Sequence, residues 1–352
     1  MNLDLREPIR IGIAGLGRAG LESHVRELEK LTDYYRIVAV CDLLKERRDL
    51  VAEKFNCRTY RRYEDLLRDS EIELIDIATR SDDHLAHAIA ALKTGKWVML
   101  ETPMGVNHEE ALMLRAAAIK AHNRLFVYHD FHFDPGLQHA REVMNSGILG
   151  DIYDIKLRYG CFFRRDDWQT VARCGGGQLL HTGTHLIEQA LRFLNSPPVK
   201  VFSDFKRVAA LGDAEDYARI VLRDAGGLTV DIEASDGRIL ATPQCLVTGA
   251  SGGLSLSGSE ISLKYLDPKV KLARRRSSVR TPPLSFDAAP PENLAWIEET
   301  IPVAPKEASG SSAIWEYLAA AIRLNRTFPV SLDDALEVMR VVSLVRKESI
   351  FA

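Results

Sequence analysis

A glycine-rich turn between two apolar runs, within residues 10–42, constrains the fold of this chain most strongly. The first run meets a GxGxxG pattern, a helix-like stretch follows, and the second run ends at Asp42. In a dinucleotide site the glycines permit a tight strand-to-helix turn and close approach of the pyrophosphate, while the helix N-terminus offers free N–H groups. The pattern therefore predicts a nucleotide site, with a tight turn lacking any ligand as the alternative. The cofactor-binding residues predicted here are Gly15, Gly17, Arg18, Ala19, Gly20 and Asp42.

Asp42 favours NAD over NADP as the cofactor. A carboxylate at the end of the second strand can accept hydrogen bonds from both hydroxyls of the adenosine ribose, and it would repel a 2′-phosphate. Arg47 and Arg48 follow closely, in the next predicted helix, and can soften this preference. The sequence thus predicts NAD.

Strand and helix patterns alternate through the first 127 residues, which indicates a doubly wound parallel sheet. The predicted strands are 9–14, 35–41, 73–79, 96–101 and 124–128. The predicted helices are 18–31, 43–55, 62–69, 82–94 and 107–122. Asn107 is a candidate N-cap, and Gly95 is a helix-stop signal.

After residue 128 the apolar runs lengthen and mostly lose their intervening helices, which indicates a mostly antiparallel sheet. The predicted strands are 151–163, 198–209, 216–224, 228–236, 243–248 and 261–266. The predicted helices are one from Asp134 to about 146, one at 178–194, and two near 311–325 and 332–350, the last with a Ser331–Asp334 capping box. The fold class is α/β plus α+β, with domains at 1–128 and 129–352. The last helix can pack back on the first domain.

Composition excludes several classes of protein. The chain has 352 residues, which suggests about two domains. Its formal net charge of −3 does not favour binding to nucleic acid or to an anionic membrane. Five cysteines without a CxxC motif fit a reducing compartment. The N-terminus lacks the apolar segment of a signal peptide, and no apolar run is long enough to span a bilayer. We therefore expect a cytoplasmic protein with a small-molecule substrate.

The chain resembles the glucose–fructose oxidoreductase / inositol dehydrogenase (Gfo/Idh/MocA) family. Besides the glycine fingerprint, the similar segments are Ala78-Thr79 with His84, Leu100-Glu101-Thr102-Pro103-Met104, Phe133-Asp134-Pro135, and GGGQLLHTGTHLIE at 175–188. The resemblance implies a Rossmann domain, a second domain with an open sheet, and NAD(P) between them. It also implies a sugar, cyclitol or related polyol as substrate, and a homodimer or homotetramer formed through the open sheet. A contiguous exposed apolar face on runs 216–224 and 228–236 would support that association.

The chain departs from the family pattern at the residues that carry the chemistry. The family lysine that shares in proton transfer is replaced by Thr102, which has no comparable basicity. The aspartate of the GGG motif is replaced by His181, while the usual histidine remains as His185. Residues four apart share a helix face, and histidine titrates near neutrality. We therefore predict His185 and His181 as the catalytic pair that handles the proton accompanying hydride transfer.

Further site residues follow from the resemblance and from the position of the motifs. The other predicted cofactor-binding residues are Ala78, Thr79, His84, Glu101, Thr102 and Pro103. The predicted substrate-binding residues are His129, Asp130, His132, Arg164, Arg165 and Trp168.

Several alternatives stay open on sequence grounds. The histidines with His129, Asp130 and His132 could bind zinc, although the sequence shows only one plausible pair and we predict no metal. Cys174 is more consistent with an incidental thiol than with a nucleophile. The basic and then Pro-rich stretch 271–291 is interpreted as a surface excursion. A redox-neutral enzyme that cleaves or eliminates glycosides with tightly bound NAD, and a non-catalytic NAD-binding sensor, are the alternative functions.

Overall fold

The computed structural model describes residues 7–272, 294–304 and 309–347, together with residues 274, 279 and 292. Its first part is a six-stranded parallel sheet in the order β3-β2-β1-β4-β5-β6. The strands are β1 Ile9–Ala14, β2 Tyr35–Cys41, β3 Arg58–Tyr60, β4 Leu74–Ile77, β5 Trp97–Glu101 and β6 Leu125–Tyr128. The helices are α1 Arg26–Leu28, preceded by the π-helical segment Ala19–Val25, α2 Lys45–Phe55, α3 Tyr63–Arg68, α4 His84–Lys93 and α5 His108–Lys120. The chain order reverses between β1 and β4, and ligands of such sheets bind at that switch point.

The second part is an eight-stranded sheet in the order β14-β13-β12-β11-β7-β10-β9-β8. Its strands are β7 Ile152–Gly160, β8 Lys200–Lys206, β9 Tyr217–Arg223, β10 Thr229–Ser235, β11 Cys245–Gly249, β12 Gly252–Ser257, β13 Glu260–Leu266 and β14 Trp296–Pro302. All neighbouring pairs are antiparallel except β7 and β10, which are parallel. The parallel and mostly antiparallel sheets confirm the predicted fold class.

Four more α-helices follow β6 in the described part of the chain. They are α6 Pro135–Asn145, α7 Thr184–Phe193, preceded by the π-helical segment Leu179–Gly183, α8 Ser311–Leu324 and α9 Leu332–Lys347. Helix α8 packs on α1, and its buried Trp315 shares a core with Ile9 and Ile11 of β1. Helix α9 lies against α5 of the first part and against α7 and β8 of the second. Residues 348–352, at the end of the predicted last helix, lie outside the described residues.

The predicted helix caps are confirmed. Asn107 accepts a hydrogen bond from the N–H of Glu110 (2.9 Å), and Asp134 accepts one from the N–H of Leu137 (2.8 Å). Ser331 and Asp334 exchange side-chain-to-backbone hydrogen bonds. These contacts satisfy N–H groups that the first helical turn leaves without partners.

The sequence patterns missed three strands: β3, β12 and β14. Strand β3 is three residues long, and β12 begins with two glycines, so neither shows an apolar run. Strand β14 is an edge strand with mostly exposed residues, including Glu298 and Glu299. Edge strands that pair on one side carry a weak apolar signal. Most of the stretch 271–291 interpreted as a surface excursion lies outside the described residues.

The apolar open face expected on β9 and β10 is absent, so that part of the sequence interpretation is wrong. In β9 the residues Ala218, Ile220 and Leu222 are buried, whereas Arg219 and Arg223 lie on the other face. On that face Asp231 of β10 binds the guanidinium groups of Arg219 (3.1 Å) and of Arg158 in β7 (2.7 Å). The open face of these strands is therefore largely charged and polar, with the half-buried Tyr217 and Val221 alternating with the arginines, and it is not a contiguous apolar face. The homo-oligomeric state stays a prediction without this support.

No helix among the residues described here combines the length and apolarity that crossing a bilayer requires.

Candidate active site

The glycine fingerprint has the geometry of a dinucleotide turn. Gly15 has a φ of +92°, and a Cβ there would lie 2.4 Å from the carbonyl oxygen of Ala78. A Cβ on Gly20 would lie 2.0 Å from the carbonyl oxygen of Gly15, so the helix can approach the strand only with glycine. At Gly17 a Cβ would meet nothing within 4 Å. Open space over Gly17, at the start of a helix, fits a pyrophosphate and supports a nucleotide ligand.

Asp42 holds this turn in place. Its Oδ2 accepts a hydrogen bond from the N–H of Leu16 (2.7 Å), and its Oδ1 accepts one from the N–H of Leu44 (2.8 Å). The guanidinium of Arg47 lies 3.9 Å from the same carboxylate and lines the adjoining cavity. Arg48 instead donates to the carbonyl oxygen of Asp42 (2.7 Å). The carboxylate is thus fixed at the predicted ribose position, with one arginine beside it.

A cavity of about 410 Å³ lies at the carboxyl ends of β1, β4 and β5, between the two sheets. It contains residues from each predicted class. The predicted residues that line it are Gly17, Arg18, Ala19, Ala78, Thr79, Glu101, Thr102, Asp130, Trp168, His181 and His185. The aromatic rings of Phe131 and Tyr159, which the sequence patterns did not single out, line it too, with ring centroids 5.1 Å apart.

His185 sits between Thr102 and Asp130 in this cavity. Its Nε2 lies 3.0 Å from the Oγ1 of Thr102, within hydrogen-bond distance. Its Nδ1 lies 3.2 Å from the Oδ1 of Asp130, but these two atoms are not aligned for a hydrogen bond. The Nδ1 of His185 is therefore a buried ring nitrogen without a hydrogen-bond partner, with a carboxyl group beside it.

Thr102 connects His185 to a buried acid–histidine–acid group. The hydroxyl and the N–H of Thr102 both donate to Oε1 of Glu101, at 3.0 and 2.9 Å. The Oε2 of Glu101 lies 2.7 Å from Nε2 of His24, and Nδ1 of His24 lies 2.8 Å from Oδ2 of Asp76. We call these five residues, Asp76, His24, Glu101, Thr102 and His185, the hydrogen-bonded chain.

Within the hydrogen-bonded chain, the positive charge of His24 and the negative charge of Glu101 stabilise each other. Although burial opposes its protonation, the carboxylates of Asp76 and Glu101 raise the pKa of His24 to about 10. Burial likewise opposes ionisation of Glu101, but the hydrogen bond and charge of His24 lower its pKa to about 2. At neutral pH His24 is therefore an imidazolium that donates to both acids, and Glu101 is ionised.

His181 and His129 differ from the expectation of a histidine that titrates near neutrality. Burial, with repulsion from Arg165 and His185, lowers the pKa of His181 to about 3. Burial also lowers the pKa of His129 to about 3, and its ring lies 5.8 Å from that of His185. His181 is thus a neutral hydrogen-bonding group in the cavity wall, and His129 lies behind the wall.

Other predicted site residues lie away from the cavity. The Nδ1 of His132 lies 2.7 Å from Oε1 of Glu188. Arg164 is exposed, and its Nε lies 3.3 Å from the carbonyl oxygen of Ala209. Neither side chain lines the cavity, because a carboxylate and a backbone carbonyl hold them elsewhere, and their contact with substrate stays a prediction without support from the structure.

Two predicted cofactor residues support the loops instead of lining the cavity. His84 is buried, with its ring nitrogens near the carbonyl oxygens of Pro103 (2.9 Å) and Thr79 (3.2 Å). Pro103 is buried too. The pair joins the loop after β4 to the loop after β5, so both act on the site through the backbone.

An adjoining chamber of about 690 Å³ shares Arg18, Tyr159 and His181 with the cavity. Its lining includes four arginines and four acids: Arg18, Arg158, Arg165, Arg238, Glu22, Asp166, Asp167 and Asp236. Within the lining, Arg165 pairs with Asp236 (3.3 Å), and Glu233, outside the lining, pairs with Arg158 (3.6 Å) and Arg238 (2.7 Å). Arg165 thus lies near the site as predicted, but an acid already neutralises its charge. Such a wall offers donors and acceptors with little net charge, which suits hydroxyl groups better than a carboxylate or phosphate.

The sequence patterns missed His24 and Asp76, which are both fully buried. Asp76 interrupts the apolar strand β4, and an ionisable residue inside such a strand signals a buried partner. His24 carried no comparable signal, because its helix places it beside Asp76 only in three dimensions. Among the described residues no group of three or more histidine, cysteine or acidic side chains is arranged to hold a metal ion.

Comparison with known proteins identifies the family. Residues 9–129 match the model of the oxidoreductase family with an NAD-binding Rossmann fold, and residues 137–255 match the GFO/IDH/MocA C-terminal domain. The scyllo-inositol 2-dehydrogenase (NADP(+)) of Bacillus subtilis is 24% identical over 97% of this chain and 94% of its own length. The D-glucoside 3-dehydrogenase of Escherichia coli is 28% identical over 55% of this chain and 56% of its own length.

Other relatives match over part of their length, or in fold alone. The alignment with an uncharacterized oxidoreductase of Schizosaccharomyces pombe, at 28% identity, spans 64% of this chain and 63% of that protein. A Listeria innocua NAD-binding protein has a TM-score of 0.81 at 22% identity, covering 97% of this chain and 95% of its own. With residues 9–129 and 137–255 matched by its two models, the chain belongs to the GFO/IDH/MocA family of oxidoreductases.

Proposed function

We propose that the protein is an NAD-dependent oxidoreductase of a sugar, cyclitol or related polyol, with His185 as the proton acceptor and donor. The observation that carries this proposal is the position of His185 in the wall of the cavity that the glycine fingerprint opens into, where its buried Nδ1 lies beside Asp130 without a hydrogen-bond partner. We further propose residues 1–128 as the cofactor domain and 129–352 as the substrate domain. The cytoplasmic location and the homodimer or homotetramer remain predictions.

The residues present fit a nicotinamide cofactor. Open space over Gly17 leaves room for the pyrophosphate, and Glu101, Thr102 and Tyr128 line the inner end of the cavity. The cofactor supplies the hydride acceptor, and the protein supplies orientation and proton handling. In oxidation of a secondary alcohol, substrate binding has to uncover the buried Nδ1 of His185, which then accepts the hydroxyl proton as the carbinol carbon loses hydride. The carboxyl group of Asp130, 3.2 Å away, stabilises the positive charge that then forms on the imidazole.

Three observations support a neutral polyhydroxylated substrate. The arginines of the adjoining chamber are matched by acids, so the wall carries little net charge. Phe131 and Tyr159 offer ring faces on which the C–H face of a cyclic polyol can pack. Relatives are named as inositol and glucoside dehydrogenases.

Turnover assays test the proposed function. The purified protein is incubated with NAD and a panel of inositols, aldoses and glucosides, and NADH is followed by absorbance while products are followed by chromatography. We expect NADH to form in proportion to ketone. Release of a cleaved or eliminated product without net NADH would favour the redox-neutral alternative. Tight NAD binding without any product across the panel would favour the sensor.

We expect the replacement of Asp42 with alanine to weaken NAD binding more than NADP binding. The wild-type carboxylate accepts from the ribose hydroxyls and repels a 2′-phosphate, whereas in the variant Arg47 can pair with that phosphate. Calorimetric titration of both cofactors measures the ratio. An Arg47→Ala variant is the matched control, which should lose NADP affinity and keep NAD affinity. Tighter NADP than NAD binding by the wild type would contradict the proposed preference.

A further inference from the structure

The hydrogen-bonded chain constrains where protons can reside. Ionised Glu101 has no proton, so both of its oxygens can only accept. Its Oε2 faces the Nε2 of His24, and its Oε1 receives both the hydroxyl and the N–H of Thr102. The single hydroxyl proton of Thr102 is therefore directed toward Glu101.

The hydroxyl of Thr102 also determines which nitrogen of His185 carries hydrogen. A Thr102 hydroxyl that donates to Glu101 can only accept from a second partner. That partner is Nε2 of His185, 3.0 Å away, so this nitrogen must carry the hydrogen. In neutral His185 the other nitrogen, Nδ1, then has the free lone pair, and Nδ1 is the atom with no hydrogen-bond partner.

We propose that Glu101 and Thr102 are positioning residues that fix the neutral His185 as its Nε2–H tautomer, with Glu101 held in its accepting orientation by His24 and Asp76. Only the kinetic consequence of this inference rests on the proposed function. The arrangement explains how a chain with threonine at the family lysine position can keep one defined proton acceptor. Thr102 does not take the proton itself, and its hydroxyl determines which nitrogen of His185 does.

The groups around His185 do not compete for Nε2. Asp130 faces Nδ1, the rings of Phe131 and His129 lie 4.7 and 5.8 Å from the His185 ring, and His181 lies one turn earlier on the same helical face. Within the described part of the chain, Thr102 is the one hydrogen-bond partner of His185. The Asp130 carboxyl group would favour hydrogen on Nδ1, but its Oδ1 is not aligned for a hydrogen bond with that nitrogen, whereas the Thr102 hydroxyl makes one with Nε2; the tautomer is thus set from the Thr102 side.

The inner end of the hydrogen-bonded chain is closed to solvent. The side chains of His24 and Asp76 are both 0% exposed. A proton taken from substrate therefore has no exit through Asp76, and the chain fixes proton positions without conducting protons. His185 and Asp130, at the other end, line the cavity.

Nitrogen-15 NMR of the full-length protein, labelled at histidine and free of cofactor, tests the inference without depending on activity. The signals of His185 among the ten histidines are assigned by their loss in a His185→Gln variant. We expect the wild type and Thr102→Ser to show the Nε2–H tautomer at neutral pH. Wild-type His185 with its hydrogen on Nδ1 would overturn the proposal.

Glu101→Gln provides the decisive variant. Since His24 donates toward position 101, the amide oxygen of the glutamine turns to His24 and its NH₂ group donates to the Thr102 hydroxyl, while the Thr102 N–H, which donates to Oε1 in the wild type, loses its acceptor. The Thr102 hydroxyl then donates to Nε2 of His185, and the tautomer inverts to Nδ1–H. In the double variant Glu101→Gln/Thr102→Val the inversion should disappear, because valine cannot transmit it. An uninverted Glu101→Gln spectrum, or inversion that survives in the double variant, would overturn the proposal.

Kinetics separate this inference from the proposed function. With Nδ1 blocked by hydrogen in Glu101→Gln, we expect kcat to fall by about 10²- to 10⁴-fold, the range for loss of a general base. Inversion of the tautomer with unchanged kcat would uphold the inference and remove His185 from the proposed mechanism. Loss of kcat without inversion would overturn the inference and leave the proposed function in place.

Discussion

Replacement of His185 with alanine is expected to lower kcat by about 10²- to 10⁴-fold, with little change in NAD affinity. His185 lies where the cofactor cavity meets the second sheet, and its Nδ1 is unpartnered beside Asp130. Removal of the imidazole leaves a substrate hydroxyl without a proton acceptor as hydride departs. Steady-state kinetics with the substrate found in the panel, together with calorimetric NAD titration, measure the two quantities.

His181→Ala is the matched control for this prediction, because His181 lines the same cavity one helical turn away. Its pKa, lowered by burial to about 3, keeps it neutral at working pH, so it can bind substrate but is poorly suited to carry the proton. We expect a smaller loss, mainly in KM. Full activity in His185→Ala, or a larger kcat loss in His181→Ala than in His185→Ala, would show that the roles are assigned incorrectly.

The local motif predicted the geometry of the glycine-rich turn well. The roles given to Gly15 and Gly20 follow from chain geometry alone, and the structure shows the close contacts that require glycine there. Strand–helix alternation likewise determines a parallel sheet, whose carboxyl ends must form one edge. Such inferences succeed because each depends on a few neighbouring residues.

Side-chain direction could not be read from the same patterns. His132 and Arg164 were expected at the substrate, but Glu188 and the carbonyl oxygen of Ala209 attract them elsewhere. Both partners are distant in sequence, so no local pattern reports them. The charged face of β9 and β10 was missed for a related reason, since pairing of Arg219 with Asp231 depends on strand register.

Thr102 shows how a substitution can be misread from sequence alone. Threonine cannot act as the base that the family lysine provides, so the sequence comparison alone suggests that replacing Thr102 would change activity little. In the structure the Thr102 hydroxyl joins Glu101 to His185. Without that hydroxyl, no hydrogen bond at Nε2 selects which nitrogen of His185 carries hydrogen. The function of this residue depends on what lies on both sides of it, and His24 at the inner end had no sequence signal.

Replacement of His24 with leucine is expected to destabilise the fold by about 3–5 kcal/mol, the usual cost of leaving a buried charge unpaired. Asp76, whose side chain is 0% exposed, would lose its hydrogen-bond and charge partner. Glu101 would also lose its partner, but its side chain is 15% exposed and can reach the cavity. Urea unfolding at neutral pH measures the loss.

The double variant His24→Leu/Asp76→Leu is the matched control, because it removes the stranded carboxylate as well as the imidazole. It should recover much of the lost stability, since buried ion pairs are replaceable by apolar residues of similar volume. A double variant no more stable than His24→Leu would indicate that the imidazole stabilises through packing on Tyr128 and Trp315, and not through charge.

The pH dependence of unfolding gives an independent check on the charge of His24. A histidine whose folded pKa is raised to about 10, from an unfolded value of 6.5, contributes stability that is fully present below about pH 6.5 and is lost as pH rises toward 10. In His24→Leu that loss is absent. Burial raises the pKa of Asp76, so in the variant its cost grows as pH rises above about 4, the unfolded value. The deficit of His24→Leu relative to wild type should therefore be smaller near pH 5 than near pH 6.5, and a deficit that does not change with pH would contradict a charged His24.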